Sequence, residues 1–346
     1  MNSSITTLVF DDGTLIRDEA RWPELHAMEG AHTALDALSG QYRLVLATNA
    51  PDSNSGKVQK ANRRLKLDGF FERIYTAREM GFSKPDKAYF QAMAADLVAD
   101  PSELLMIGDG YTNDILGACH AGWQAVWFNP HYQPCTSLTP LHSAEIDHLA
   151  ALPQAIADLI LPTVPQCLHW LRLQHASFNL IQHVQTVAAS AYQMALWLRA
   201  SGQVVNPILA HRGGLLHDLG KLKSLRGQSG GFSHGDYGAQ LLNAWGFPQL
   251  AEIARRHMLF TIHDPALAPR TLEEMLVYFC DKIVEGTRIV PLTERIQKLS
   301  RRYARDEAQI NACLPPLQTM QHSLCRAINI PDEDLIPRLA KSLLEK

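Results

Sequence analysis

Two rhythms of apolar residues divide the chain of 346 residues. From Ile5 to about Ile160, short apolar runs such as Leu8-Val9-Phe10, Leu44-Val45-Leu46-Ala47 and Leu105-Met106-Ile107 each end in polar residues and alternate with stretches of helical spacing. Short runs of that kind predict buried strands at the heart of an α/β layer fold, a doubly wound parallel sheet. Beyond Leu161-Pro162-Thr163-Val164-Pro165 the apolar positions recur with a helical period as far as the carboxyl end, with Leu314-Pro315-Pro316 breaking one helix from the next. The proline-bearing stretch is the expected linker between an α/β domain at 1–162 and an all-α domain at 166–346.

Composition narrows the class. A hydrophobic fraction of 46% suits globular domains, and no segment is long and apolar enough to span a bilayer. The amino terminus lacks the basic region and apolar core of a signal peptide, and the six cysteines have no paired spacing. Reduced thiols and a cytoplasmic location are the expectation. Net charge is −3. The densest basic stretch, Lys57, Lys60, Arg63, Arg64 and Lys66, spreads around a helix and reads as a solvated face rather than a nucleic-acid groove.

Candidate chemistry appears twice. In the helical half, Gly213-Gly214-Leu215-Leu216-His217-Asp218-Leu219-Gly220-Lys221 places an adjacent His-Asp pair at the end of an apolar helical stretch. Imidazole beside carboxylate suits a hydrolytic divalent metal such as Mn, Fe, Co or Zn, provided other helices complete the shell. His183 upstream and Asp281 downstream, both in helical stretches, are available for that. This order resembles the HD-domain metal-dependent phosphohydrolases over roughly Gln166 to Arg302. His234 and His257 fall between the pair and the late Asp, as in the binuclear branch of that superfamily. The resemblance then implies that Asp218 bridges two metals, with His183, His217 and Asp281 on one and His234 and His257 on the other. Lys221 and Arg288 are candidates to hold phosphate oxygens. Lys282 reads as an ion-pair partner of Asp281, and His175, His211 and His263 read as structural.

The front half carries an acidic strand end, Phe10-Asp11-Asp12-Gly13-Thr14, followed by Thr48-Asn49 at the end of a second strand, by Lys84-Pro85, and by Gly108-Asp109-Gly110-Tyr111-Thr112-Asn113-Asp114. A strand that ends in acidic residues and a glycine turn can present an aspartate nucleophile. These motifs resemble the haloacid dehalogenase (HAD) superfamily. That resemblance implies that Thr48 binds and Lys84 neutralises a phosphoryl group, and that Asp11, Asp109 and Asp114 hold Mg²⁺. Only short connections join the motifs, so no cap domain is expected. The family's first motif has one residue between its two acids, whereas here Asp11 and Asp12 are adjacent. If Asp12 keeps the general-acid place, Phe10 falls at the nucleophile; if Asp11 is the nucleophile, Gly13 falls where the acid belongs; a local bulge would restore both roles.

The expected protein is therefore a hydrolase of phosphoric ester or anhydride bonds. Its helical domain would cleave a nucleotide-like phosphodiester or phosphoanhydride and its front domain would trim a phosphomonoester. Substrates of that class include phosphorylated small molecules, nucleotides and RNA ends. Two alternatives remain: a front domain reduced to a binding or regulatory module, and a di-iron oxygenase in place of the helical hydrolase.

Overall fold

The computed structural model describes residues 5–17, 25–50, 53–133, 135, 137–158, 161–225, 227 and 233–345. Met1 and Lys346, the outer limits of the expected domains, and Leu159 and Ile160, at the end of the α/β stretch, lie outside them. Two compact units are present: Met1–Gln133 with Leu141–Thr163, and Pro134–Pro140 with Val164–Lys346.

The first unit is built on a six-stranded, all-parallel sheet. Its strands are β1 (Thr7–Asp11), β2 (Arg43–Thr48), β3 (Arg73–Thr76), β4 (Leu104–Gly108), β5 (Gln124–Phe128) and β6 (Ala144–Ile146), in the order β3-β2-β1-β4-β5-β6. Leu8, Val9 and Phe10 on β1 are all fully buried. A strand covered on both faces needs such a continuous apolar run, because helices pack against each side of a parallel sheet. The chain winds outward from β1 through β2 to β3 and then returns to lay β4 on the other flank of β1, so the winding reverses between β1 and β4. In open parallel sheets the crevice at the strands' carboxyl ends beside such a reversal is where ligands bind. Register brings the chemistry there: Asp11 pairs with Ala47, one residue before Thr48, and Phe10 pairs with Ile107, two residues before Asp109.

Among its described residues the second unit is helical, with one small exception. Its main helices are α1 (Phe178–Ala200), α2 (Pro207–Leu216), α3 (His234–Ala244), α4 (Pro248–Arg256), α5 (Leu272–Ile283) and α6 (Leu292–Arg302). Local signals set their starts. Ser177 caps α1, Asn206 caps α2 ahead of Pro207, Ser233 caps α3, and Thr271 with Glu274 forms a capping box on α5. Helix α2 is buried at every position, His211 and Arg212 included. Gly213 and Gly214 let its neighbours close in. A Cβ on Gly214 would lie 2.5 Å from the Cα of Ala188 on α1, and one on Gly213 would lie 2.6 Å from Ile253 Cδ1 on α4. The exception is a pair of two-residue antiparallel strands, Val284–Glu285 and Arg288–Ile289. A break at Leu314-Pro315-Pro316 is present, with one helix ending at Ala312 and the next spanning Leu314–Ala327.

Candidate metal centres and catalytic pocket

His217 caps the carboxyl end of α2 and Asp218 follows in the turn. Gly220 keeps that turn against α3, since a Cβ there would lie 2.5 Å from the carbonyl of His234. Helix α1 supplies His183, α5 supplies Asp281, α3 opens on His234, and His257 ends α4. Six residues far apart in sequence thus share one buried neighbourhood.

The two oxygens of Asp218 face different partners. Oδ1 lies 3.3 Å from His234 Nε2 and 3.4 Å from His257 Nε2, whereas Oδ2 lies 3.6 Å from His217 Nε2 and 2.5 Å from Lys221 Nζ. Two ligand triples result, His183 with His217 and Asp218, and Asp218 with His234 and His257, each with donor atoms within 4.8 Å of one another. Asp281 Oδ1 joins the first, 3.1 Å from His183 Nε2 and 3.6 Å from His217 Nε2.

The donor set fits divalent metal on several counts. The Nδ1 atoms of His217 and His257 bond the carbonyls of Gly214 and Ala254 at 2.8 and 2.6 Å. A carbonyl can only accept, so those nitrogens carry protons and the Nε2 atoms are the ones turned toward Asp218. His217 Nε2 and Asp218 Oδ1 are buried without a hydrogen-bond partner. Burial pushes His257 down to about 4, so that its ring is neutral. Burial works to raise Asp218 and Asp281, but the charges of His217 and Lys221 on the one, and of Lys282 on the other, hold both well below the usual carboxylate range. Buried ionised carboxylates facing imidazole nitrogens make up a donor set that suits a hard-to-borderline cation.

Of the expected phosphate ligands, Lys221 is at the cluster. Arg288 is not brought to it: it is exposed on its short strand, where its charge acts on Glu285. Sequence reasoning passed over Arg295 on α6, whose charge acts on Lys221 and whose Nε is buried without a hydrogen-bond partner. Its only sequence signal was a basic residue on a helix downstream of Asp281. Lys282 is an ion-pair partner as expected, 2.5 Å from Asp281 and also bonded to the carbonyl of His257 at 2.7 Å. His211 is buried against Arg212, while His175 lies in a turn and His263 is exposed.

In the first unit, Asp11, Gly13, Thr48, Lys84, Asp109 and Asp114 line a cavity of about 220 Å³. Asp11, Asp109 and Asp114 present three carboxylates to one point. Lys84, nearly fully buried, is paired with Asp11 and lies 2.7 Å from Asp114 Oδ1. The amide of Asn49 fixes that lysine by clasping its backbone, with both bonds at 2.8 Å. Gly108 makes room for Asp114, because a Cβ there would fall 2.3 Å from Asp114 Cβ. The backbone N–H of Gly110 holds Asp114 Oδ2 at 2.9 Å. Burial and the charge of Asp11 raise Asp109 and Asp114, and Asp11 and Asp114 raise Lys84 against the effect of its own burial. Three crowded carboxylates exceed what one lysine neutralises, and a divalent cation would relieve the excess.

The ambiguity between the adjacent acids has a geometric answer. Asp11 ends β1 and faces the cavity; Asp12 begins the next turn and directs its carboxylate at Asn62 Nδ2, 3.5 Å away, outside the cavity lining. Asp12 is buried and is not among the residues lining the cavity. Phe10 is fully buried, edge-on to Phe71, so it does not replace the nucleophile. The basic helix Ser55–Arg64 presents Lys57, Lys60, Arg63 and Arg64 to solvent, with Arg63 paired to Asp68.

Comparison with known proteins agrees with both halves. Residues 3–122 match the haloacid dehalogenase-like hydrolase family and residues 180–285 match the HD domain. The chain belongs to the haloacid dehalogenase-like hydrolases through its first half and carries an HD domain in its second. The first of these families is one of hydrolases, and a nucleotidase and a phosphatase stand among the relatives of that half. An uncharacterized protein of Methanocaldococcus jannaschii is 34% identical over 145 residues, 39% of this chain and 83% of that one. Pyrimidine 5′-nucleotidase PynA of Streptococcus pneumoniae is 31% identical over 108 residues, covering 30% of this chain and 44% of the nucleotidase. Glyceraldehyde 3-phosphate phosphatase of Pyrococcus abyssi is 32% identical over 117 residues, covering 34% and 48%. The chain thus spans about half the length of these two enzymes. No helix among the described residues is long and apolar enough to cross a membrane.

Proposed function

We propose that the helical unit is a binuclear metal phosphohydrolase that cleaves a nucleotide-like phosphoanhydride or phosphodiester. The observation that carries this is Asp218, whose two oxygens serve two different groups of imidazoles. His183, His217 and Asp281 would hold one ion, His234 and His257 the other, with Mn, Fe, Co or Zn as the metals suited to this donor set. Such a pair supplies hydroxide near neutral pH and stabilises charge on the phosphoryl oxygens. Lys221 lies beside Asp218 and is partly exposed, which suits a cation that meets the substrate as well as the bridging carboxylate.

The front unit, on the same proposal, transfers a phosphoryl group to Asp11, with Thr48 and Lys84 positioning the phosphate and Mg²⁺ held by Asp11, Asp109 and Asp114. The nucleotidase and the sugar-phosphate phosphatase among its relatives make nucleotides and small phosphorylated metabolites the substrates to try first. The test begins with the metal content of protein purified without chelator. It continues with hydrolysis of nucleotides, dinucleoside polyphosphates and cyclic phosphates by wild type and Asp218→Ala, with and without oxygen. About two transition metals per chain, and an oxygen-independent activity lost in the variant, are expected. Metal-free protein with full activity in Asp218→Ala would overturn the reading.

A further inference from the structure

We infer that, among the described residues, the front cavity holds a nucleophile but no acid for the leaving group, and that it takes phosphoryl groups from weakly basic leaving groups, namely acyl phosphates, phosphoanhydrides and phenolic phosphates. This rests on Asp11 being the nucleophile. The titratable groups that line the cavity are Asp11, Lys84, Asp109 and Asp114. Each is engaged: the three carboxylates form one cation-binding group, and Lys84 spans Asp11 and Asp114. Thr48 Oγ1 accepts the N–H of Ala50 at 3.1 Å, and a hydroxyl is in any case a poor proton donor to a departing alkoxide. Beside the nucleophile the cavity wall is Gly13. A Cβ at that position would stand 3.0 Å from Asp11 Oδ2 and 3.8 Å from Asp109 Oδ1, where a side chain could reach the leaving oxygen, and glycine supplies none. The acid one residue earlier, Asp12, points at Asn62.

The steps follow from those placements. An Asp11 carboxylate oxygen forms a bond to phosphorus while the bond from phosphorus to the leaving oxygen breaks. The leaving group departs with that electron pair as an anion, without taking a proton from the protein. Water then attacks the phosphorus, the bond to Asp11 breaks and restores the carboxylate, inorganic phosphate leaves, and the surplus proton passes to solvent. The first step is fast only when the departing anion is stable. For the second, the described lining offers no further side chain to take the water's proton, so the phosphorylated Asp11 accumulates.

The experiment uses the full chain with Mg²⁺, in wild type, Asp11→Asn and Gly13→Asp, each also carrying Asp218→Ala to silence the helical site. Acetyl phosphate and a series of phosphate esters from nitrophenyl through phenyl to alkyl are the substrates. Expected are turnover of acetyl and nitrophenyl phosphate, a steep fall in kcat/KM as the leaving group becomes more basic, and an acid-stable phosphoryl adduct on the chain. All three should be lost in Asp11→Asn. Gly13→Asp should raise the ratio of alkyl-ester to nitrophenyl-phosphate turnover by about 10² to 10⁴-fold, the range that a general acid supplies. An Asp11-dependent activity as fast on alkyl as on nitrophenyl esters would overturn the inference while leaving the nucleophile reading intact. Activity that survives Asp11→Asn, or no adduct and no turnover from any substrate, would overturn the nucleophile reading and the inference together. Should Gly13→Asp fail to fold, the slope and the adduct in wild type decide.

Discussion

Single residues carry most of what was ambiguous in the sequence. Adjacent acids on a regular strand face opposite ways, because successive side chains along an extended chain point to opposite faces, unless a local bulge intervenes. That rule left two assignments open, and only the placement of Asp11 against Lys84 and of Asp12 against Asn62 separates them. Lys84 stood out in the sequence as a candidate phosphate-neutralising cation, but its clasp by Asn49 was not legible, since a side-chain amide that holds a backbone 35 residues away leaves no local trace. The lysine should matter to stability as well as chemistry. It is a nearly buried charge between two carboxylates, and removing one partner from a buried ionic group strands the others. Lys84→Met should cost about 3–5 kcal/mol, read as a lower denaturation midpoint in metal-free buffer. A loss below about 1 kcal/mol, the worth of an exposed pair, would mean that the carboxylates are not held by it.

Helices and strands were the most legible level, for a physical reason: burial of one face or of both imposes a period on the sequence, and caps punctuate it. The runs at Leu8-Val9-Phe10 and Leu44-Val45-Leu46-Ala47 are central strands, and the stretches bearing His183 and Asp281 are helices. What periodicity does not encode is how closely two helices approach. Gly213-Gly214 read simply as part of an apolar stretch, yet in the fold those glycines set the separation of α2 from α1 and α4 and thereby the position of His217 and Asp218. The neighbour of Gly214 is backbone, which cannot rotate aside, so Gly214→Ala should destabilise by about 1–3 kcal/mol despite alanine's better helix propensity. Gly40→Ala, with open space around the position, should change stability little. Thermal or urea melts of the two variants decide; equal effects would show that the close approach of α1 and α2 is relaxed at no cost.

For the molecule as a whole, alternating elements followed by helices were enough to foresee two folds in one chain, because layer architectures are few. The grouping of Pro134–Pro140 with the helical unit was not foreseeable, as it depends on contacts distant in sequence. Two metal-binding groups in separate units make a thermodynamic prediction that needs no substrate. An ion that binds only the folded state stabilises it by RT ln(1 + [L]/Kd), about 2.7 kcal/mol at one hundred times Kd. The six-residue cluster around Asp218 assembles from helices α1 to α5, so Mn²⁺ should raise the unfolding free energy of the helical unit, and a chelator should reverse it. Asp218→Ala removes the carboxylate common to both triples and should abolish that increment, whereas Asp11→Asn should leave it whole and weaken only the response to Mg²⁺. Calorimetric scans of the three proteins with each metal give the outcome. A Mn²⁺ increment that persists in Asp218→Ala would place the stabilising ion elsewhere and remove the bridging carboxylate from the account. An increment lost in both variants would mean that the two sites are thermodynamically coupled rather than separate.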